Sequence, residues 1–308
     1  MERTQNVNVV ALENEFWQVG ILPETGASTA YGRVRMGEDW IDLMRPTAPE
    51  DYGNSSKAAN FIMLPWCNRI RDGVLRFNGQ TYQMRTEKDD GTARHGDVRK
   101  RAWQVESQSY RHIYLTITSA AYADMNYPFK FSARAEYALE GRDFVWRLTL
   151  KNEDTRPMPG GFGFHPYFVR PEAEPKVMVP CEQQFNLVNY LAEGGPVLLT
   201  NRLNFQQPRA LGNDEINDVL TGRVVDAPAF MQFPSANVGL LMRADPIYRH
   251  LLLYAPVGQP FFALEPMTNV NDGFNLLARG IDESGVFTLQ PGESQAGEVR
   301  LEMVATPE

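Results

Sequence analysis

Alternation is the feature that most constrains this chain. Successive side chains of an extended strand point to opposite faces, whereas a helix repeats every ~3.6 residues. The segment FKFSARAEYAL puts Phe129, Phe131, Ala133, Ala135, Tyr137 and Leu139 on one face and Lys130, Ser132, Arg134 and Glu136 on the other. FVWRLTLKN does the same with Phe144, Trp146, Leu148 and Leu150 against Arg147, Thr149 and Lys151. With EGRD between them as a turn, residues 129–152 read as a hairpin. YRHIYLTITSA (110–120) and GEVRLEMVAT (297–306) alternate likewise. Asp72-Gly73 and Asn78-Gly79 bracket the run VLRF, a strong hairpin signature. No long amphipathic helix is present, only short helical stretches expected at 56–63 and 213–221. With no repeat, linker or shift in composition, the expectation is an all-β chain: one large antiparallel β-sandwich domain over residues 1–308.

Composition agrees with a folded enzyme or binding protein. At 43% hydrophobic and 11% aromatic residues, the chain has ample material for a core. A formal charge of −8 without a dense basic run argues against nucleic acid and anionic membrane surfaces as partners. No segment approaches the roughly 20 apolar residues of a membrane span, and the N-terminus has no signal-peptide pattern. Cys67 and Cys181 are far apart and read as reduced thiols, so the expected location is the cytoplasm.

Phosphate-binding, dinucleotide-binding, nucleophile-elbow and zinc-protease motifs are all missing. His95, His112, His165 and His250 lack ligand spacing and the cysteines are isolated, so no metal is expected. Any catalysis then falls to plain acid/base side chains. In GGFGFHPYF (160–168), Gly161, Gly163 and His165 share a face while Phe162 and Phe164 take the other. Either the glycines relieve crowding at a bulge and His165 is a core histidine, or the bare face beneath it, flanked by Tyr167, leaves room for a ligand. In PFFALEPMTN, Phe261, Ala263 and Glu265 share a face, and Pro266 is expected to stop the strand. Glu265 is either a strand-end partner in a salt bridge or a carboxyl whose apolar surroundings raise its pKa toward general-base work. Asn68 and Arg69 leave an apolar run just before a hairpin, and His95 lies in a polar stretch. His112 and His250 sit in ordinary strand patterns and read as structural.

Four stretches together resemble the aldose 1-epimerase (galactose mutarotase) family. They are the Asn-Arg of PWCNRIRDG, HGDVRKRAW, GFHPYF and LEPMTNVNDGFN, in that order across residues 65–275. The resemblance implies the galactose mutarotase-like supersandwich, a large antiparallel β-sandwich. It implies interconversion of the α and β anomers of a free aldohexose such as galactose or glucose, with Glu265 as general base and His165 as general acid. Arg69 and His95, with Asn68 and Tyr167 nearby, would contact the monosaccharide. The family also uses an aspartate from a later loop; GNDEINDVLTG offers Asp214 and Asp218, and the spacing before VLTG favours Asp218. The implied partner is a small monosaccharide, and the chemistry needs no cofactor. Nothing in the sequence speaks to oligomeric state.

Two alternatives follow. A hexose-6-phosphate 1-epimerase would need extra cations, for which Arg71, Arg76 or the Arg99–Arg101 cluster would serve. A non-catalytic carbohydrate-binding protein would keep aromatic and polar contacts without requiring both His165 and Glu265.

Overall fold

A computed structural model describes residues 7–224 and 226–305. Two large antiparallel sheets dominate it, one of nine strands and one of eight. The expected hairpin sits centrally in the nine-stranded sheet. Phe131–Glu140 and Asp143–Asn152 pair in unbroken register from Phe131 opposite Asn152 to Glu140 opposite Asp143. The alternating apolar residues of both strands are buried, as the pattern requires. His112–Thr118 flanks them on one side and Ser294–Ala305 on the other. Val74–Phe77 and Gln80–Gln83 close through Asn78 and Gly79, with φ of 47° and 72°, the pair of left-handed residues that a type I′ hairpin needs.

The apolar faces of the two sheets meet in one core. Trp146, Leu148, Leu240 and Val299 come from the nine-stranded sheet, and Phe164, Leu220, Leu253 and Leu264 from the other. Phe162 and Phe164 are fully enclosed there, each contributing on the order of 1.5–3 kcal/mol of burial. A second, smaller apolar cluster lies on the opposite face of the eight-stranded sheet, built from Met63, Tyr167, Val219, Leu252, Ala263 and Met267.

Three local expectations fail. Residues 213–221 are not helical: Ile216–Arg223 is an interior strand of the eight-stranded sheet, where pairing with His250–Ala255 overrides a weak local preference. Residues 56–63 form only a 3-10 turn, Ser55–Lys57, followed by the strand Ile62–Met63. Pro266 does not stop its strand, which runs Phe261–Met267. Among the described residues the one α-helix is Gly273–Ala278, just after that strand.

Candidate active site

Sheet register alone brings His165 and Glu265 together. Gly163 pairs with Met267, and Tyr167 with Ala263, so His165, midway between, falls opposite Glu265. On its other side the backbone N–H of His165 donates to Phe61 O at 2.9 Å. Glu265 in turn pairs with Leu252, and Leu252 with Val219. The row Val219, Leu252, Glu265, His165, Phe61 thus crosses the sheet on the face turned away from the main core.

His165 Nε2 and Glu265 Oε1 are 3.1 Å apart. Both groups are buried, Glu265 at 1% exposure and His165 at 6%. Burial pushes the carboxyl well above its ordinary range, with the Arg69 charge opposing only in part. Burial likewise pushes the imidazole down, helped by the nearby Arg45 charge. The outer atoms of the pair, His165 Nδ1 and Glu265 Oε2, are buried without a hydrogen-bond partner. Unpaired buried polar atoms are costly, and this pair carries two of them.

The imidazole stands in a column of rings. Tyr167 stacks on one face at 4.5 Å and Phe61 covers the other at 4.6 Å. Guanidinium groups cap both ends, Arg45 at 3.7 Å from the Tyr167 ring and Arg99 at 5.4 Å from Phe61. His95 meets His165 edge-on at 5.3 Å, and its Nδ1 contacts Met63 Sδ at 3.1 Å. Burial lowers the pKa of His95 too, with the His165 charge next in importance.

Asn68 and His95 both adopt left-handed backbone, φ 54° and 59°, and the His95 N–H donates to Asn68 O at 2.6 Å. Glycine must follow His95, because a Cβ on Gly96 would lie 1.9 Å from Leu64 O. Arg69 donates to Asp90 at 2.9 Å and to Asn68 Oδ1 at 3.0 Å.

The glycines before His165 serve the protein, not a ligand. A Cβ on Gly161 would lie 1.9 Å from Asn269 Oδ1, and one on Gly163 would lie 2.6 Å from Pro266 O and 2.9 Å from Cys67 Sγ. Gly161 therefore makes room for Asn269, which accepts from the Cys67 N–H at 2.9 Å and donates to Cys67 O at 3.3 Å. Asp272 accepts from the Arg71 N–H, and Asn275 donates to Val74 O. The segment after the Glu265 strand thus clamps the loop that presents Asn68 and Arg69. Sequence reading missed this role, although the run of Asn and Asp in NVNDGFN was its visible signal.

Asp218 is not brought to the pair. It alternates with Val219, so it shares a face with Ile216 and Leu220 of the main core, and it receives Arg202 at 2.7 Å. Its neighbour Asn217 takes the site face, in the row Asn217, Tyr254, Ala263, Tyr167. Asp214 lies outside the strand altogether. His250 is fully buried with Nδ1 2.9 Å from Thr221 Oγ1, and His112 Nδ1 is 2.9 Å from Ser109 Oγ. Cys67 and Cys181 are buried free thiols.

A family model described as aldose 1-epimerase matches residues 21–302. The uncharacterized protein YphB of Escherichia coli K12 is 24% identical over 276 residues, which is 85% of this chain and 89% of that protein. A galactose mutarotase-like protein from Clostridium acetobutylicum superposes with a TM-score of 0.85 at 17% identity, covering 97% of this chain and 95% of its own. The GalM/aldose epimerase homologue from C. elegans gives 0.84 at 16% identity, over 97% and 99%. A match over nearly the whole length, joined to this fold, settles the family: the chain belongs to the aldose 1-epimerases.

Proposed function

We propose that this protein is an aldose 1-epimerase acting on free aldohexoses such as glucose or galactose. The observation that carries the reading is the His165–Glu265 pair, its Nε2 and Oε1 3.1 Å apart in a buried setting, with one further polar atom of each group buried without a hydrogen-bond partner. Ring opening removes a proton from the anomeric hydroxyl and delivers one to the ring oxygen. Glu265 as base and His165 as acid fill those roles, and reclosure after rotation about C1–C2 reverses them. The proton balance is kept, since what Glu265 accepts His165 gives, and reclosure returns both groups to their starting states. Asn68, Arg69 and His95 lie around the pair as candidate contacts to the sugar hydroxyls.

The unphosphorylated substrate is favoured by charge. Arg71 pairs with Glu193 and Asp272, Arg99 and Lys100 with Glu87, and Arg101 with Asp97 and Asp124. At these positions a phosphate would have to displace carboxylates already in place, whereas Arg76 donates to the neutral Asn275 Oδ1 at 3.4 Å. Two buried free thiols fit a reducing compartment, hence the cytoplasm.

Polarimetry on freshly dissolved α-glucose and α-galactose tests the reading. Both should reach equilibrium faster with protein than without, and Glu265→Gln should abolish the acceleration while leaving sugar binding detectable. Binding by the wild type without any acceleration would instead mark a carbohydrate-binding protein.

A further inference from the structure

Two short strands, Leu187–Val188 and Leu191–Ala192, pair with each other outside both large sheets, with Val188 opposite Leu191. The turn between them is Asn189–Tyr190, with φ of 50° and 64°. This is a type I′ turn, whose second position is ordinarily glycine. A tyrosine there crowds its Cβ against the following carbonyl, so the chain holds a strained residue where an unstrained one was available. Local folding gives no reason for the choice. The ring is not core either, since Tyr190 is 45% exposed.

What surrounds Tyr190 is the site. The Arg69 guanidinium lies 4.9 Å from the ring centroid. Tyr254, in the row beside Glu265, lies close enough to feel both Tyr190 and Glu265 electrostatically. The turn is also held in place. Buried Asn271 donates to Tyr190 O at 2.6 Å, and Arg71 pairs with Glu193 just past the hairpin at 2.7 Å. A strained, half-exposed aromatic anchored beside Arg69 has the form of a recognition element rather than a structural one.

We propose that Tyr190 is a substrate-contacting residue, an aromatic wall that packs against the apolar C–H face of an aldopyranose while Arg69 takes its hydroxyls. The inference rests on the sugar-site reading and adds to it the residue that grips the ring carbons. Aromatic rings favour contact with weakly positive C–H groups over hydroxyls. The contact belongs to ground state and transition state alike, so it acts on KM and leaves kcat in place.

The test compares Tyr190→Gly and Tyr190→Phe with the wild type in KM, kcat and Tm, using galactose and glucose, with calorimetric titration of the same sugars alongside. Tyr190→Gly should raise KM about fivefold to tenfold with kcat nearly constant, while Tm stays level or rises because the turn strain is gone. Tyr190→Phe should keep the wild-type KM. An unchanged KM in the glycine variant, or a lower Tm, overturns the proposal. If the wild type binds sugar without turning it over, the acid/base reading fails, and Tyr190 is then judged by titration alone. Binding weakened by the same factor in Tyr190→Gly supports it, whereas equal binding, or no binding of either sugar to the wild type, overturns it.

Discussion

Glu265 lies within the strand Phe261–Met267 and His165, a hundred residues earlier, in the two-residue break between the strands Gly163–Phe164 and Tyr167–Val169, yet register sets them opposite each other with Nε2 3.1 Å from Oε1. Neither is reached by a flexible loop. Gly163 against Met267 and Tyr167 against Ala263 fix the spacing between them, so the distance is a property of the sheet. A site built on paired strands is held more tightly than one built on loops.

The two groups act on one proton cycle, so their losses should not multiply. Glu265→Gln and His165→Asn should each slow catalysed mutarotation by on the order of 10²–10⁴-fold. The double variant should resemble the worse single one. A double variant slower by the product of the two factors would show that the residues act independently.

Burial also shapes the pH profile. The raised Glu265 carboxyl holds its proton to higher pH, and the lowered His165 imidazole refuses a second proton until lower pH. Both shifts favour the uncharged form of each group, the carboxylic acid and the neutral imidazole. The breaks in the kcat/KM profile should therefore be displaced from the ordinary values, the carboxyl's above 4.5 and the imidazole's below 6.5. A break near 6.5, as a solvated histidine would give, would contradict the coupled pair.

Gly161→Ala should disturb the loop that carries Asn68 and Arg69 without touching the His165–Glu265 pair. Its methyl would drive into Asn269 and loosen the clamp on Cys67. A loss of about 1–3 kcal/mol in urea stability is expected, along with a raised KM as Asn68 and Arg69 lose their anchor. Gly195→Ala, which meets nothing within 4 Å, is the control and should change stability by no more than about 0.5 kcal/mol. Equal stability in the two variants would remove the clamp from the account.

His250 makes the fold acid-sensitive. Burial lowers it from 6.5 to about 3, so between those values the unfolded chain takes up a proton that the native state refuses. Stability should accordingly fall as pH drops through that window, by up to about 1.4 kcal/mol per pH unit from this residue, with no effect above 6.5. His95 and His165 push in the same direction. His250→Gln should lower stability at pH 7 but flatten its decline toward pH 4. An unchanged slope would mean that His250 is already charged in the native protein.

Asp218 and Asn217 offer a test of face. Asp218→Asn, on the core side with Arg202, should leave mutarotation kinetics nearly intact. Asn217→Leu, on the site side beside Tyr254, should raise KM. The reverse ranking would place the sugar contact where sequence spacing put it.

The sequence by itself determined a good deal of this protein. Alternation through 129–152 was enough for strand assignment and facing, because in a sheet the pattern of burial is local and has a period of two. The Asn-Gly turn at 78–79 was equally readable, since its left-handed residues advertise themselves. Glu265 stood out as one carboxylate in an apolar strand, and His165 by its setting among glycines and aromatics. Other features depended on which strand lay beside which. Asn217 rather than Asp218 faces the site because a shift of one residue in register inverts a strand's faces, and no local signal reports that register. Gly161 is bare because Asn269, over a hundred residues later, fills the space. Ile216–Arg223 is strand rather than helix because two neighbours pair with it. Period and turn chemistry are written in adjacent residues. The bonding partners across a sheet, and therefore the distance from an imidazole to a carboxylate, exist only once the chain has closed on itself.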